Sequence, residues 1–78
     1  MTKKHFQDFA VALAMISDDS ERHRAATLIG GVCKQANARF DFPRFIEAVE
    51  DLRQGACPKG FTTARWLECR DALRKAAA

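Results

Sequence analysis

Four stretches of the chain carry apolar residues at helical spacing, separated by short clusters of capping and turn-forming residues. The first is expected to start after Thr2 as N-cap and to run to about Ile16, with Phe6, Phe9, Leu13 and Ile16 on one face. Ser17-Asp18-Asp19-Ser20 ends it. Ser20 then caps a second helix from Glu21 to about Ala36, whose stripe Ala25, Leu28, Ile29, Val32 and Ala36 is predicted to be buried. Asn37 suits a left-handed position after its last turn. The third helix has the clearest start: Asp41 as N-cap, Pro43 in the first turn, and Phe40 placed to touch Phe45 across the cap as a hydrophobic staple. Its core face is Phe42, Phe45, Ile46, Val49 and Leu52, and Gly55 stops it. Ala56-Cys57-Pro58-Lys59-Gly60 makes a turn. Thr62 caps a fourth helix running toward Ala76, with Phe61 and Trp66 repeating the staple spacing and Trp66, Cys69 and Leu73 turned inward. No period-two alternation and no internal repeat appears. The pattern predicts an all-α fold, a compact four-helix domain spanning residues 1–78 as a single unit.

Two places in this pattern are open to more than one reading. Gly30 and Gly31 lie inside the second helix, where each costs about 1 kcal/mol relative to alanine. Either Ala26, Gly30 and Cys33 form a ridge of small residues on which another helix packs closely, or the helix kinks or meets a ligand there. In the first helix, Phe9 to Ile16 contains no polar residue, and on a helical wheel Val11 and Met15 lie nearly opposite Phe9 and Leu13. A helix apolar on both sides needs two partners. Either this helix is the centre of the bundle, or Val11 and Met15 form a surface for another molecule, through partner binding or a homodimer.

Composition narrows the class without naming a function. Seventy-eight residues, 47% apolar and 29% charged, are ordinary for one small globular domain. The longest charge-free apolar run is far short of the roughly 20 residues needed to span a bilayer. The three cysteines, Cys33, Cys57 and Cys69, have no CxxC spacing, and no signal peptide precedes them, which suggests a reducing, cytoplasmic setting. Net charge is +3 but uneven. Asp41, Glu47, Glu50 and Asp51 face only Arg44 in the third segment, whereas Arg53, Lys59, Arg65, Arg70, Arg74 and Lys75 dominate the C-terminal third of the chain.

Candidate chemistry is sparse. His5 and His23 fall in the first turns of different helices, and no Ser-His-Asp or Cys-His arrangement is suggested by spacing, so no enzyme and no cofactor is expected. Cys33 and Cys69 fall on apolar faces, and only Cys57 is expected to be exposed. The stretch around Phe40 superficially matches the exit of an EF-hand. Its loop would present Cys33, Gln35 and Asn37 as ligands, Ala38 where glycine is needed and Arg44 in place of the bidentate glutamate, so no metal is expected. Nucleic-acid binding would use the basic surface of the fourth helix, Arg65, Arg70, Arg74 and Lys75, interrupted by Glu68 and Asp71. The competing reading pairs that surface with the acidic third helix. The candidate interaction surface is Val11 and Met15, with Arg70 and Arg74 as the alternative.

Asn37-Ala38-Arg39-Phe40-Asp41-Phe42-Pro43-Arg44-Phe45, with the opening Met1 to Phe6, resembles a group of small bacteriophage and prophage accessory proteins that share an N-x-R-F-D-x-x-R-F segment after a helix. The resemblance covers about fifteen of the 78 residues, mostly capping and staple positions, and the chain continues past Leu52, where such proteins often end. It brings no catalytic residue. It implies a phage-encoded, non-enzymatic module in the host cytoplasm that binds a host protein or protein complex, for example as an inhibitor of a CRISPR defence complex. The alternative is a small DNA-binding transcriptional regulator.

Overall fold

The computed structural model describes residues 3–77, which form four helices: α1 (Lys3–Ala14), α2 (Asp19–Ala36), α3 (Phe42–Gln54) and α4 (Thr63–Ala77). The all-α, four-helix architecture expected from the pattern is present. Thr2, the expected cap of the first helix, lies outside the described residues. Three helix starts or stops follow the local chemistry that predicted them. Asp41 accepts the Arg44 backbone N–H at 3.1 Å with Pro43 in the first turn. Gly55 takes φ +86° after α3, letting the Ala56 N–H reach back to the Asp51 carbonyl at 2.8 Å. Thr62 Oγ1 accepts the Arg65 N–H at 3.1 Å.

Three local expectations are corrected. The cap of α2 is Asp18, not Ser20: its side chain accepts the Glu21 N–H at 2.8 Å, so the helix begins two residues early. A cluster of four capping residues offers several starts, and this one places Arg22 a full turn inside the helix. Correspondingly α1 ends at Ala14 rather than Ile16, closing with tight turns from the N–H groups of Met15 and Ile16 to the carbonyls of Ala12 and Leu13. Asn37 is extended (φ −145°) rather than left-handed. It ends α2 by donating its N–H to the Cys33 carbonyl, and its side chain accepts the Arg39 N–H at 3.0 Å, an Asx turn.

α1 is the hub, with α2, α3 and α4 all packed against it. Its inward residues are Ala10, Val11, Leu13 and Ala14, while Phe9, predicted to face the core, stays partly outside. The backbone extends over 35 × 28 × 16 Å. Half of the buried apolar side chains are alanine or cysteine. The larger ones are Val11 and Leu13 of α1, Phe45, Val49 and Leu52 of α3, and Phe40 before the α3 cap. Trp66 and Leu73 of α4 are only half-buried, and Cys69 is its deepest residue.

α2 faces inward with its small residues, so the ridge of Ala26, Gly30 and Cys33 is the packing surface. A β-carbon on Gly30 would come 2.8 Å from Cε2 of Phe42 and 3.2 Å from Cδ2 of Phe45. The glycine lets the two rings of α3 lie against the helix backbone. Gly31, one residue on, has nothing within 4 Å of that position. Gly31→Ala is accordingly expected to stabilise by about 0.5–1 kcal/mol through helix propensity. Gly30→Ala is expected to destabilise by about 1–2 kcal/mol, because crowding two rings outweighs the same propensity gain. Urea midpoints moving in opposite directions for the two variants would bear this out, and a stabilising Gly30→Ala would refute the close packing.

Two arginines that the apolar pattern does not distinguish tie the helices together. Arg22 is buried, and its Nε donates to Glu50 Oε2 of α3 at 3.0 Å, Nη1 to the Ile16 carbonyl at 2.9 Å, and Nη2 to Asp19 Oδ1 at 2.5 Å. The hydrogen bonds it donates to Asp19 and Glu50 raise its pKa against the opposing effect of burial, so the guanidinium stays charged. Arg65 anchors α4 to α1, donating to Gln7 Oε1 at 3.1 Å and to Asp8, with Glu68 one turn along. Burial disfavours the Arg65 charge, but Asp8 and Glu68 outweigh it and hold the pKa above its ordinary value.

Candidate functional site

The residues proposed from the sequence as an interaction surface do not come together. Val11 is 8% exposed and belongs to the core. α1 packs against all three other helices and Val11 lies within that packing, so the pairing of Val11 with Met15 as an outer face is corrected. Met15, beyond the end of α1, is 41% exposed and lines a small cleft of about 120 Å³ with Leu52, Arg53 and Leu73. Arg70 is half-buried, its guanidinium 5.1 Å above the Trp66 ring. Arg74 is exposed in the last turn of α4. The basic face proposed for nucleic acid also loses Arg65, whose partners are on α1 and α4 rather than on the acidic α3. What α4 presents outward is Arg74 and Lys75, with Arg70 partly covered.

For catalysis or metal binding, the described residues bring little together. His5 and His23 are both exposed and stand on different helices. Among the described residues no group of three or more His, Cys, Asp or Glu side chains converges. Burial pushes the thiols of Cys33 and Cys69 above their usual range, which keeps them neutral. Cys57 is exposed in the turn before α4. No described helix is long and apolar enough to cross a membrane.

The two most exposed large apolar side chains among the described residues are on α2, where the sequence pattern predicts core. Leu28 is 62% exposed and Val32 59% exposed, with Ile29 between them also outside. Ala25 is half-buried and Ala36 is exposed. This is a correction to the predicted burial of the stripe, and its cause is geometric. α2 has two apolar arcs, one of small residues and one of large, and only the small one meets the neighbouring helices α1 and α3. α3 brings Phe42 and Phe45 to α2, and bulky rings need a shallow counter-surface, so the arc of Ala26, Gly30 and Cys33 turns inward. The large arc is left facing water. No family model, curated protein or solved structure matches the chain.

Proposed function

We propose that the chain is a non-enzymatic protein-protein interaction module whose working face is the outer side of α2. The observation that carries this reading is the exposure of Leu28, Ile29 and Val32 in a row along one helix. Isolated exposed apolar residues are ordinary, but a contiguous apolar strip on a small domain marks a contact surface. Ala25, Ile29, Val32 and Ala36 follow a 4-3-4 spacing, the seam along which one helix packs on another, with Leu28 beside it. The occupant we assign is therefore an amphipathic helix of a partner protein, laid along α2. The resemblance of residues 37–45 to bacteriophage accessory proteins supports a host protein as that partner, in a complex that the module would inhibit, such as a CRISPR or other defence complex.

The test is a Leu28→Lys, Val32→Lys double variant, in which both side chains are already mostly in water. Its helicity and melting temperature are expected to stay close to wild type. A host protein recovered on the wild-type chain, then purified, is expected to bind at one to one and to lose about 100-fold in affinity for the variant, since lysines would place charge in an apolar contact. Equal binding by both chains would remove α2 from the interface. A wild-type dimer in sedimentation equilibrium that the variant converts to monomer would assign the strip to a second copy and overturn the partner reading.

A further inference from the structure

On another part of the molecule, the segment Asn37–Phe45 builds one wall of a cleft of about 340 Å³. Phenylalanine rings form its floor: Phe40 lies 4.8 Å from Phe6 and 5.2 Å from Phe45 between ring centres, and Phe61 joins them from the turn before α4. The rim is cationic. Lys3, Arg39, Arg44 and Lys59 all line the cleft, from α1, the loop before α3, α3 itself and the turn before α4, and Asp41 is the sole carboxylate among its lining residues. Asp41 is occupied at the start of α3, accepting the Arg44 backbone N–H and standing 3.8 Å from that residue's Nε. Among the described residues Lys3, Arg39 and Lys59 enter no ion pair. The Arg44–Asp41 contact is open to solvent on both sides and holds Arg44 only weakly.

Hydrogen bonds tie the loop that carries Arg39 to α2 and to itself. Lys34 Nζ donates to the carbonyls of Ala38 at 2.6 Å and Phe40 at 3.1 Å, and the Phe40 N–H donates to the Asn37 carbonyl at 2.9 Å. On the opposite wall the Phe61 N–H donates to the Pro58 carbonyl at 3.2 Å, closing a turn whose third residue, Gly60, has φ +85°. Both cation-bearing loops are thus set before any ligand arrives, which lowers the ordering cost of binding.

We propose that this cleft binds an acidic protein segment, seating one large apolar side chain against the half-buried rings of Phe6 and Phe61 with flanking carboxylates on the rim cations. Charge complementarity selects the sign of the ligand, and the apolar floor selects a ligand with a hydrophobic body rather than a simple anion. Single-stranded nucleic acid fits less well. Base stacking needs open ring faces along a basic track. Here the two deepest rings, Phe40 and Phe45, are 6% and 5% exposed and packed on one another, and the cations surround one cleft. The site is independent of the α2 strip and has its own test.

The test uses the whole chain and fluorescence anisotropy with a labelled short peptide of aspartates and glutamates around a central tryptophan. It is expected to bind in the micromolar range, more weakly as salt rises, and about tenfold tighter than the same peptide with serine at the centre. Arg39 and Lys59 are exposed, so Arg39→Ala, Lys59→Ala should fold as wild type, confirmed by an unchanged melt, and weaken the tryptophan peptide about tenfold or more. Four results each overturn the proposal. They are no binding at millimolar peptide, equal binding of the serine peptide, undiminished binding by the double variant, and tighter binding of a single-stranded oligonucleotide of equal charge.

Discussion

Phe40→Ala is expected to lower stability by about 3–5 kcal/mol, the usual cost of removing a buried aromatic side chain. A 78-residue domain at roughly 0.05–0.15 kcal/mol per residue holds on the order of 4–12 kcal/mol, so this one substitution takes a large share of it. Phe40 precedes the cap of α3, is nearly buried, and touches both Phe6 of α1 and Phe45 of α3. Its loss would uncouple the loop from two helices at once. Asp41→Ala, next in sequence, removes only one capping hydrogen bond and is expected to cost about 1 kcal/mol. Urea unfolding of the two variants checks the ratio. A Phe40→Ala midpoint equal to wild type would mean that the loop does not dock and that the staple contributes nothing.

Arg22→Met is expected to cost about 2–3 kcal/mol. Removing one member of a buried ion pair usually costs about 3–5 kcal/mol. Here Asp19 lies in water and Glu50 is half-exposed, so both carboxylates can rehydrate and the lower figure applies. The carbonyl of Ile16, in the connection between α1 and α2, loses its donor too. Arg22→Lys should recover only part of the loss, because a single ammonium does not reproduce a planar fork that serves that connection, α2 and α3 together. Adding Glu50→Met to Arg22→Met should make the pair cheaper than two independent losses, since no carboxylate is then left against an apolar neighbour. Strictly additive costs in that double-variant cycle would show that Arg22 and Glu50 are not coupled.

Much of the fold is legible along the chain because helix boundaries are set by neighbouring residues. Asp41, Pro43, Gly55 and Thr62 act through hydrogen bonds and backbone angles within three or four positions, and each ends or starts a helix where its type predicts. Phe40 and Phe45 meet for the same reason, being five residues apart across a cap. Where several residues of one type stand together, as in Ser17 to Ser20, the choice of cap passes to the tertiary partner. Asp18 is used, and the turn it starts carries Arg22 to Glu50 on α3.

The candidate surfaces were much less legible. Lys3, Arg39, Arg44 and Lys59 are ordinary surface cations at separate points of the sequence, and only the approach of α1, α3 and the turn before α4 gathers them around one cleft. The signal within reach was the short Asn37–Phe45 segment, whose capping role hid the basic residues it also carries.

Amphipathic spacing establishes that four segments are helices and which of their residues can be buried, because hydrogen bonding and side-chain period are local properties. It does not say which arc is buried when a helix has two. In α1 the three helices packed on it settle the matter in favour of burying Val11. In α2 the rings of Phe42 and Phe45 require a flat surface of Ala26, Gly30 and Cys33, and their closeness at Gly30 leaves Leu28 and Val32 outside. That outcome depends on the shape of a partner helix, and hydrophobicity along α2 alone ranks the two arcs the other way.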